Sequence, residues 1–368
     1  MAGPRPIPFE PLNTEKGTST PPEPLHGASL LELATMEVPS DKTLLGKRWL
    51  CVGGGAIVVG PSGIGKSTLA VQATALWACG RAAFGIKPAR DLRVLIVQAE
   101  DDQGDSIEMA KMIELLGLSD QQRQLVGQNT HLEFLNDKTG MKFTERLDEM
   151  LGLFPADLAI INPLSAYLGD DTKDEKSVNQ FLRNWINPIL SRREAAVIFI
   201  HHTPKTINRD TSDWEATEWM YSGSGVAGIT NWSRAYIAID PAKTHGVFRF
   251  IAAKRGARIG WGSFETFWAH SQDDSKILWV PANRDQIAIA KKAAKKAADD
   301  LLGLIPKLDP ISQEELRLKA SNYGISRDNM RDFIGMLIDQ KKAFPWSLPR
   351  PGKKSAIGYA QRPQPDED

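Results

Sequence analysis

The run Gly60-Pro61-Ser62-Gly63-Ile64-Gly65-Lys66-Ser67-Thr68 carries the residue types that grip a polyphosphate. It satisfies the pattern G-x-x-x-x-G-K-[ST] at every fixed position. Its glycines let the backbone curl so that successive N–H groups point inward at one anion. A helix starting there adds the partial positive charge of its N-terminus. Lys66 would reach the β- and γ-phosphates, and the Ser67 hydroxyl would ligate Mg²⁺. Gly60 to Thr68 is therefore expected to cradle ATP. Hydrolysis also needs a carboxylate that activates water. Glu100, in Val97-Gln98-Ala99-Glu100-Asp101-Asp102, ends a strand-like run, and a parallel sheet would place it beside the phosphate loop. An acidic strand end near a triphosphate repels the ligand unless a metal or a water separates them, so a general base is the functional reading.

These residues need a scaffold of strands with helices between them. Ala56 to Val59 reads as a buried strand and Thr68 to Trp77 as a helix, which is the setting the loop requires. Leu92–Gln98, His131–Leu135, Asp157–Ile161 and Ala195–Ile200 read as strands, and Asp105–Leu116, Phe143–Leu153 and Val178–Leu190 as helices. Ala235–Ile239 and Val247–Ile251 look like a late antiparallel pair. Apolar strands alternating with helices predict an α/β fold, a mainly parallel sheet covered on both faces, with its ligand at the carboxyl ends of the strands.

The chain is 368 residues long with zero formal net charge, so any case for nucleic acid must be local. Cys51 and Cys79 form no metal-binding or disulfide pattern. No apolar run approaches the roughly 20 residues of a membrane span, and the N-terminus has no signal pattern. A soluble cytoplasmic protein is expected. Residues 1–28 are Pro-rich and read as a flexible tail; 29–37 is a short amphipathic helix candidate, and 29–282 forms the nucleotide domain. In 283–368 there are 16 Lys and Arg against 12 Asp and Glu. Asn283–Ile305 reads as a long helix. Ser312-Gln313-Glu314-Glu315 is a capping box opening a second helix, which Gly324 ends. Ser326 would cap a third helix running to about Lys342, before a basic β-like stretch holding Lys353 and Lys354. This order suggests a winged helix that touches DNA; a helical cap or oligomerisation module fits it as well.

Six stretches now combine: GPSGIGKS, VLIVQAEDD, DLAIINPLSAYLGDD, VIFIHHTPK, GSGVAGITNWSRA and AAKRGAR. In this order, over about residues 45–262, the chain resembles the RecA-like ATPases, and within them the hexameric RepA-type helicases of plasmids and related ATPases of phages and mobile elements. The resemblance implies a RecA-like P-loop core, an ATP site at a subunit interface and a ring-shaped homo-oligomer, hexameric in that family, around a nucleic-acid path. Glu100 matches the catalytic glutamate. His201 and His202 end the fourth strand, where the family senses the γ-phosphate; a bare reading gives the pair to a metal or a helix start, and the position favours His202 as sensor. Lys254, Arg255 and Arg258 follow the late strand, where the family supplies basic fingers to a neighbour's nucleotide. Asn162 takes the metal-orienting position, where an aspartate is common. An amide can hold a metal-bound water but brings no charge, so Mg²⁺ would bind less tightly.

Thr203 to Tyr221 lies where RecA-like proteins put a pore-facing DNA loop. Lys205 and Arg209 would meet phosphates there, and Trp214 or Trp219 would stack on bases. Asp210, Asp213, Glu215 and Glu218 suit an ordinary surface lid equally. The expectation is an ATP-hydrolysing motor on single-stranded DNA, a RepA-like replicative helicase. The alternative is a DNA-binding regulator whose assembly ATP controls with little turnover. A small-molecule kinase leaves the basic fingers and the C-terminal module unexplained.

Overall fold

The computed structural model describes residues 27–100, 103–203, 216–221, 227–241, 246–271, 278–323, 341–350 and 353–365, with 330, 334–335 and 337–338 between them. The chain divides into two compact units, Met1–Ser40 and Asp41–Asp368. The first contains helix α1 (Leu30–Thr35), opened by a complete capping box between Ser29 and Glu32, and none of its residues is buried. Apart from Gly27 and Ala28, the stretch read as a flexible tail lies outside the described residues.

The second unit opens with a short antiparallel pair, β1 (Thr43–Leu45) and β2 (Leu50–Cys51). The main sheet follows. Strand β3 (Gly55–Gly60) feeds the phosphate loop and helix α2 (Lys66–Ala78). Then come β4 (Val94–Gln98), α3 (Gln103–Ala110), α4 (Asp120–Asn129), β5 (Thr130–Phe134), α5 (Gly140–Leu153), β6 (Leu158–Asn162), α6 (Leu164–Leu168), α7 (Glu175–Asn179), α8 (Asn187–Arg192) and β7 (Ala196–His202). Next are α9 (Ala216–Trp219), α10 (Ala227–Trp232), β8 (Ala235–Pro241), β9 (Val247–Lys254), α11 (Gly256–Ile259), β10 (Glu265–His270) and β11 (Trp279–Pro281).

The nine strands lie in the order β11-β10-β9-β8-β3-β7-β6-β4-β5. From β8 to β5 every neighbouring pair is parallel. From β8 to β11 the pairing is antiparallel. Side chains alternate between the two faces with the period of a strand. Ala56, Val58, Ile160, Ile198 and Ile200 enter one core with α2, while Ile57, Val59, Ile161, Val197 and Phe199 enter a second with α5, α6 and α8. Burial on both faces explains the near-continuous apolar strands. This is a RecA-like P-loop core.

Two local readings need correction. The single helix expected over Val178–Leu190 is broken by a π-helical stretch, Gln180–Ile186, between α7 and α8. The Asn187 N–H reaches the Leu182 carbonyl, five residues back, just before Pro188, which has no N–H to continue an α ladder. The helix expected over Asp105–Leu116 is α-helical only to Ala110 and continues as a 3₁₀ stretch, Lys111–Leu116, while the expected late antiparallel pair forms as β8 and β9, with β10 and β11 extending it.

The rest of the unit contains α12 (Arg284–Leu304), β12 (Ile311–Ser312), α13 (Gln313–Ser321), β13 (Phe344–Arg350) and β14 (Lys353–Ala360). Its small sheet runs β12-β14-β13, and Leu301, Ile305, Leu316, Ile334 and Leu337 belong to a separate core. Ser312 caps α13 through the Glu315 N–H, but the Glu315 side chain pairs with Lys319 at 3.0 Å, so half of the expected capping box forms. Helix α13 ends at Ser321, and Gly324 and Ser326 lie outside the described residues. Among the described residues, no helix is long and apolar enough to cross a membrane.

Candidate functional site

The phosphate loop leaves the carboxyl end of β3 and turns into α2 at Gly65, whose φ of 82° is left-handed backbone that favours glycine. Close approach explains Gly60: a Cβ there would stand 2.8 Å from Ile64 Cδ1 and 3.1 Å from the Ile239 carbonyl. Helix α2 is buried on almost every side, so the loop rests on a fixed base.

Lys66 is 5% exposed. Its ammonium donates to the carbonyls of Gly60 (3.0 Å) and Pro61 (2.6 Å) and to His202 Nδ1 (3.2 Å). Burial pushes its pKa down to about 8, and the charge of Glu100 offsets part of that shift. A buried cation held by neutral groups is a receptor for an anion, because its charge is still to be balanced. His202 is pulled below the usual imidazole range, first by burial and then by the Lys66 charge. Neutral His202 accepts at Nδ1 from Lys66 and from the Ser62 hydroxyl (3.1 Å). That leaves its N–H on Nε2, which lies 3.7 Å from Glu100 Oε2. Lysine, histidine and glutamate thus form one chain of contacts across the strand ends.

Glu100, expected beside the phosphate loop, stands just beyond β4. β7 and β6 intervene between β3 and β4, and Glu100 reaches the site through His202. His201 points the other way and is 1% exposed.

Beneath the loop, Asn162 at the end of β6 donates through Nδ2 to Ser67 Oγ (2.9 Å) and to Gln98 Oε1 (2.7 Å). Gln98 and Asn162 are register partners on adjacent strands. The buried Gln98 Nε2 has no hydrogen-bond partner among the described residues. A hydroxyl and two carboxamides make a neutral oxygen-bearing set. It fits Mg²⁺ that keeps most of its waters and takes its charge balance from phosphate. Ser67 would ligate that ion, and Asn162 would hold one of its waters. Tyr167 on α6 is a further buried group here. Its phenol is pushed up by burial and then by Glu100, and has no hydrogen-bond partner among the described residues.

Lys254 and Arg255 do not join this group. Lys254 is in register with Tyr236, which pairs with Ile57. That sets it three residues below Gly60, roughly 10 Å of strand, and two strands, about another 10 Å, to the side. The Lys254 ammonium donates to the Thr230 carbonyl and to the Ser233 carbonyl at 3.0 Å, at the end of α10. Arg255 donates to the carbonyls of Arg48 (3.3 Å) and Trp49 (3.5 Å). Burial and the neighbouring Arg234 and Arg258 lower its pKa. Arg258 is exposed.

Lys205, Arg209 and Trp214 lie outside the described residues. Lys353 and Lys354 open β14, and their side chains are outside the described part. Trp219 is 3% exposed with the Arg249 guanidinium 5.6 Å from its ring centre, so it packs in the core and cannot stack on a base as expected.

Gln98, Tyr167, and His270 and Trp279 on β10 and β11 were not singled out from sequence. Gln98 left a signal, a lone amide closing an apolar strand. The others depend on packing that no local pattern encodes.

The sequence model of the AAA domain matches residues 21–208, just over half of the chain. No curated protein matches it.

Proposed function

The chain belongs to the AAA-domain family of P-loop ATPases, and from that premise we propose that it is a ring-forming, ATP-driven DNA motor, a RepA-like helicase serving a plasmid, phage or mobile element. The observation that carries the ATPase chemistry is the chain of contacts from the buried Lys66 through the half-buried His202 to the exposed Glu100 at the strand ends. On nucleotide binding, Lys66 exchanges backbone carbonyls for the β- and γ-phosphates. The loop amides meet the remaining phosphate oxygens. Ser67, with Asn162 behind it, would hold Mg²⁺, which would supply charge neutralisation on the phosphates. Glu100 orients a water in line with the γ-phosphorus and takes its proton as the new P–O bond forms. The β–γ bridging bond breaks, releasing ADP and phosphate. His202, freed from Lys66, donates from its ring to the γ-phosphate oxygens.

Ring assembly is supported by where the basic fingers stand. Lys254 and Arg255 are held by carbonyls of their own chain, and the exposed Arg258 on α11, just beyond the same strand, is the finger left to reach outward, where the phosphate it met would belong to a neighbouring subunit. DNA binding is supported by the C-terminal order of helix, short strand, helix, helical residues and hairpin, with β12 pairing β14. This order suits a winged helix whose last strand begins with Lys353 and Lys354. One observation favours a second reading, an ATP-gated DNA-binding regulator with little turnover: the metal-facing position is the amide of Asn162.

ATP hydrolysis by the purified chain, alone and with single-stranded DNA, separates the two. A motor gives DNA-stimulated turnover that is lost in Lys66→Ala and Glu100→Gln. Tight ATP binding with negligible turnover, whatever nucleic acid is added, refutes the motor and supports the regulator.

A further inference from the structure

The phosphate loop has an outer face as well as an inner one, and residues more than 200 positions away hold it. The Ile64 carbonyl accepts a hydrogen bond from His270 Nε2 at 3.2 Å. The Gly65 carbonyl accepts from the Leu69 N–H at 2.9 Å and from the Trp279 indole N–H at 3.2 Å. A trans peptide is planar, with its C=O and N–H pointing in opposite directions. The peptide carrying the Ile64 carbonyl also carries the Gly65 N–H, and the one carrying the Gly65 carbonyl also carries the Lys66 N–H. Donors on the outer carbonyls therefore fix the direction in which two of the phosphate-receiving amides point.

The donors are themselves well held. His270 and Trp279 are cross-strand partners on β10 and β11, with ring centres 4.4 Å apart at 78°. The Phe248 ring packs on both, at 4.7 and 4.9 Å. Trp279 is 1% exposed. The buried Gln72 of α2 grips the Trp279 backbone twice, donating from Nε2 to its carbonyl (2.8 Å) and accepting its N–H at Oε1 (2.9 Å). The strand is thereby tied to the helix that begins at Lys66. At Gly65 itself an added Cβ would stand 3.4 Å from His270 Nε2 and 3.6 Å from the Trp279 ring.

We propose that His270 and Trp279 are positioning residues for nucleotide binding, orienting the Gly65 and Lys66 amides through the outer carbonyls of the loop. Both lie beyond the residues that match the AAA domain. The proposal rests on the reading of Gly60–Thr68 as an ATP site. It makes the antiparallel edge of the sheet part of that site.

The test is equilibrium binding of a fluorescent ATP analogue to the full chain, with thermal unfolding of each variant beside it. His270→Phe and Trp279→Phe keep an aromatic ring and lose the donor. Each is expected to weaken binding about three- to tenfold, the value of one hydrogen bond. The double variant should lose less than the product of the two, because both donors act on one loop. His270→Gln returns a side-chain N–H and should recover most of the affinity. Unchanged affinity in both single variants, or a loss that His270→Gln does not reverse and that tracks the fall in Tm, overturns the proposal. A wild-type chain that binds no nucleotide would instead sink the ATP reading itself.

Discussion

Lys254→Met distinguishes a lysine that holds its own domain together from one that serves a neighbour's nucleotide. Methionine keeps the apolar stem and removes the ammonium. Two carbonyls at the end of α10 then lose a charged donor. The Thr230 carbonyl keeps the Ser233 hydroxyl at 2.9 Å, so the larger cost falls on the buried Ser233 carbonyl. A lost charge-assisted bond and a stranded buried carbonyl together cost about 2–4 kcal/mol, allowing for the remaining partner. For a unit of this size that lowers Tm by about 3–6 °C. Circular dichroism melting measures the shift. Faster hydrogen exchange over residues 227–235 locates it. A variant that melts with the wild type yet loses ATP turnover would refute this reasoning and assign the charge to an adjoining subunit.

Two further expectations concern the nucleotide site. Asn162→Asp should lower the magnesium concentration at which ATP binding is half-maximal, by about tenfold or more, since a carboxylate adds the charge the amide lacks. Without metal the same variant should be less stable, because the new carboxylate faces Gln98 Oε1 where a donor stood; a magnesium titration of ATP binding that matches the wild type would discard Asn162 as the metal-facing residue. The pH dependence follows from Lys66, whose free-state pKa of about 8 is set mainly by burial, with His202 and Glu100 facing it. Binding a polyphosphate stabilises the ammonium and raises that pKa, so affinity is flat below pH 8 and falls above it by up to about tenfold per unit, with proton uptake. Calorimetry at pH 9 in buffers of different ionisation enthalpy measures the uptake, and constant affinity from pH 7 to 9.5 would contradict the buried-cation account.

The phosphate loop was legible because its constraints are local: a strand, a left-handed glycine, a helix start. The parallel part of the sheet was legible because strands buried on both faces cannot hide their apolar runs. Asn162 and Glu100 were found as strand ends, but their distances from the loop depend on strand order, and the two strands between β3 and β4 are a property of the whole sheet. Trp219 misled because an aromatic in a polar stretch looks exposed, whereas its ring packs under Arg249. Lys254 was visible as a cation but not as the cap of a helix more than twenty residues earlier in the chain. Gln72, His270 and Trp279 gave no signal, since their meaning lies in contacts spanning more than 200 positions.

That span sets a clock. A ribosome adds about 5–20 residues per second. The strands that brace the loop therefore emerge some 10–40 seconds after the loop itself, the separations being 206 and 214 positions. During this interval the nascent chain carries a complete nucleotide motif without its outer support, and pairing so distant in sequence is the slow kind to form. Capture of ATP by the growing chain is thus weaker until the sheet is complete. A chain truncated before β10 keeps every residue of the motif and forfeits the hold of His270 and Trp279 on it.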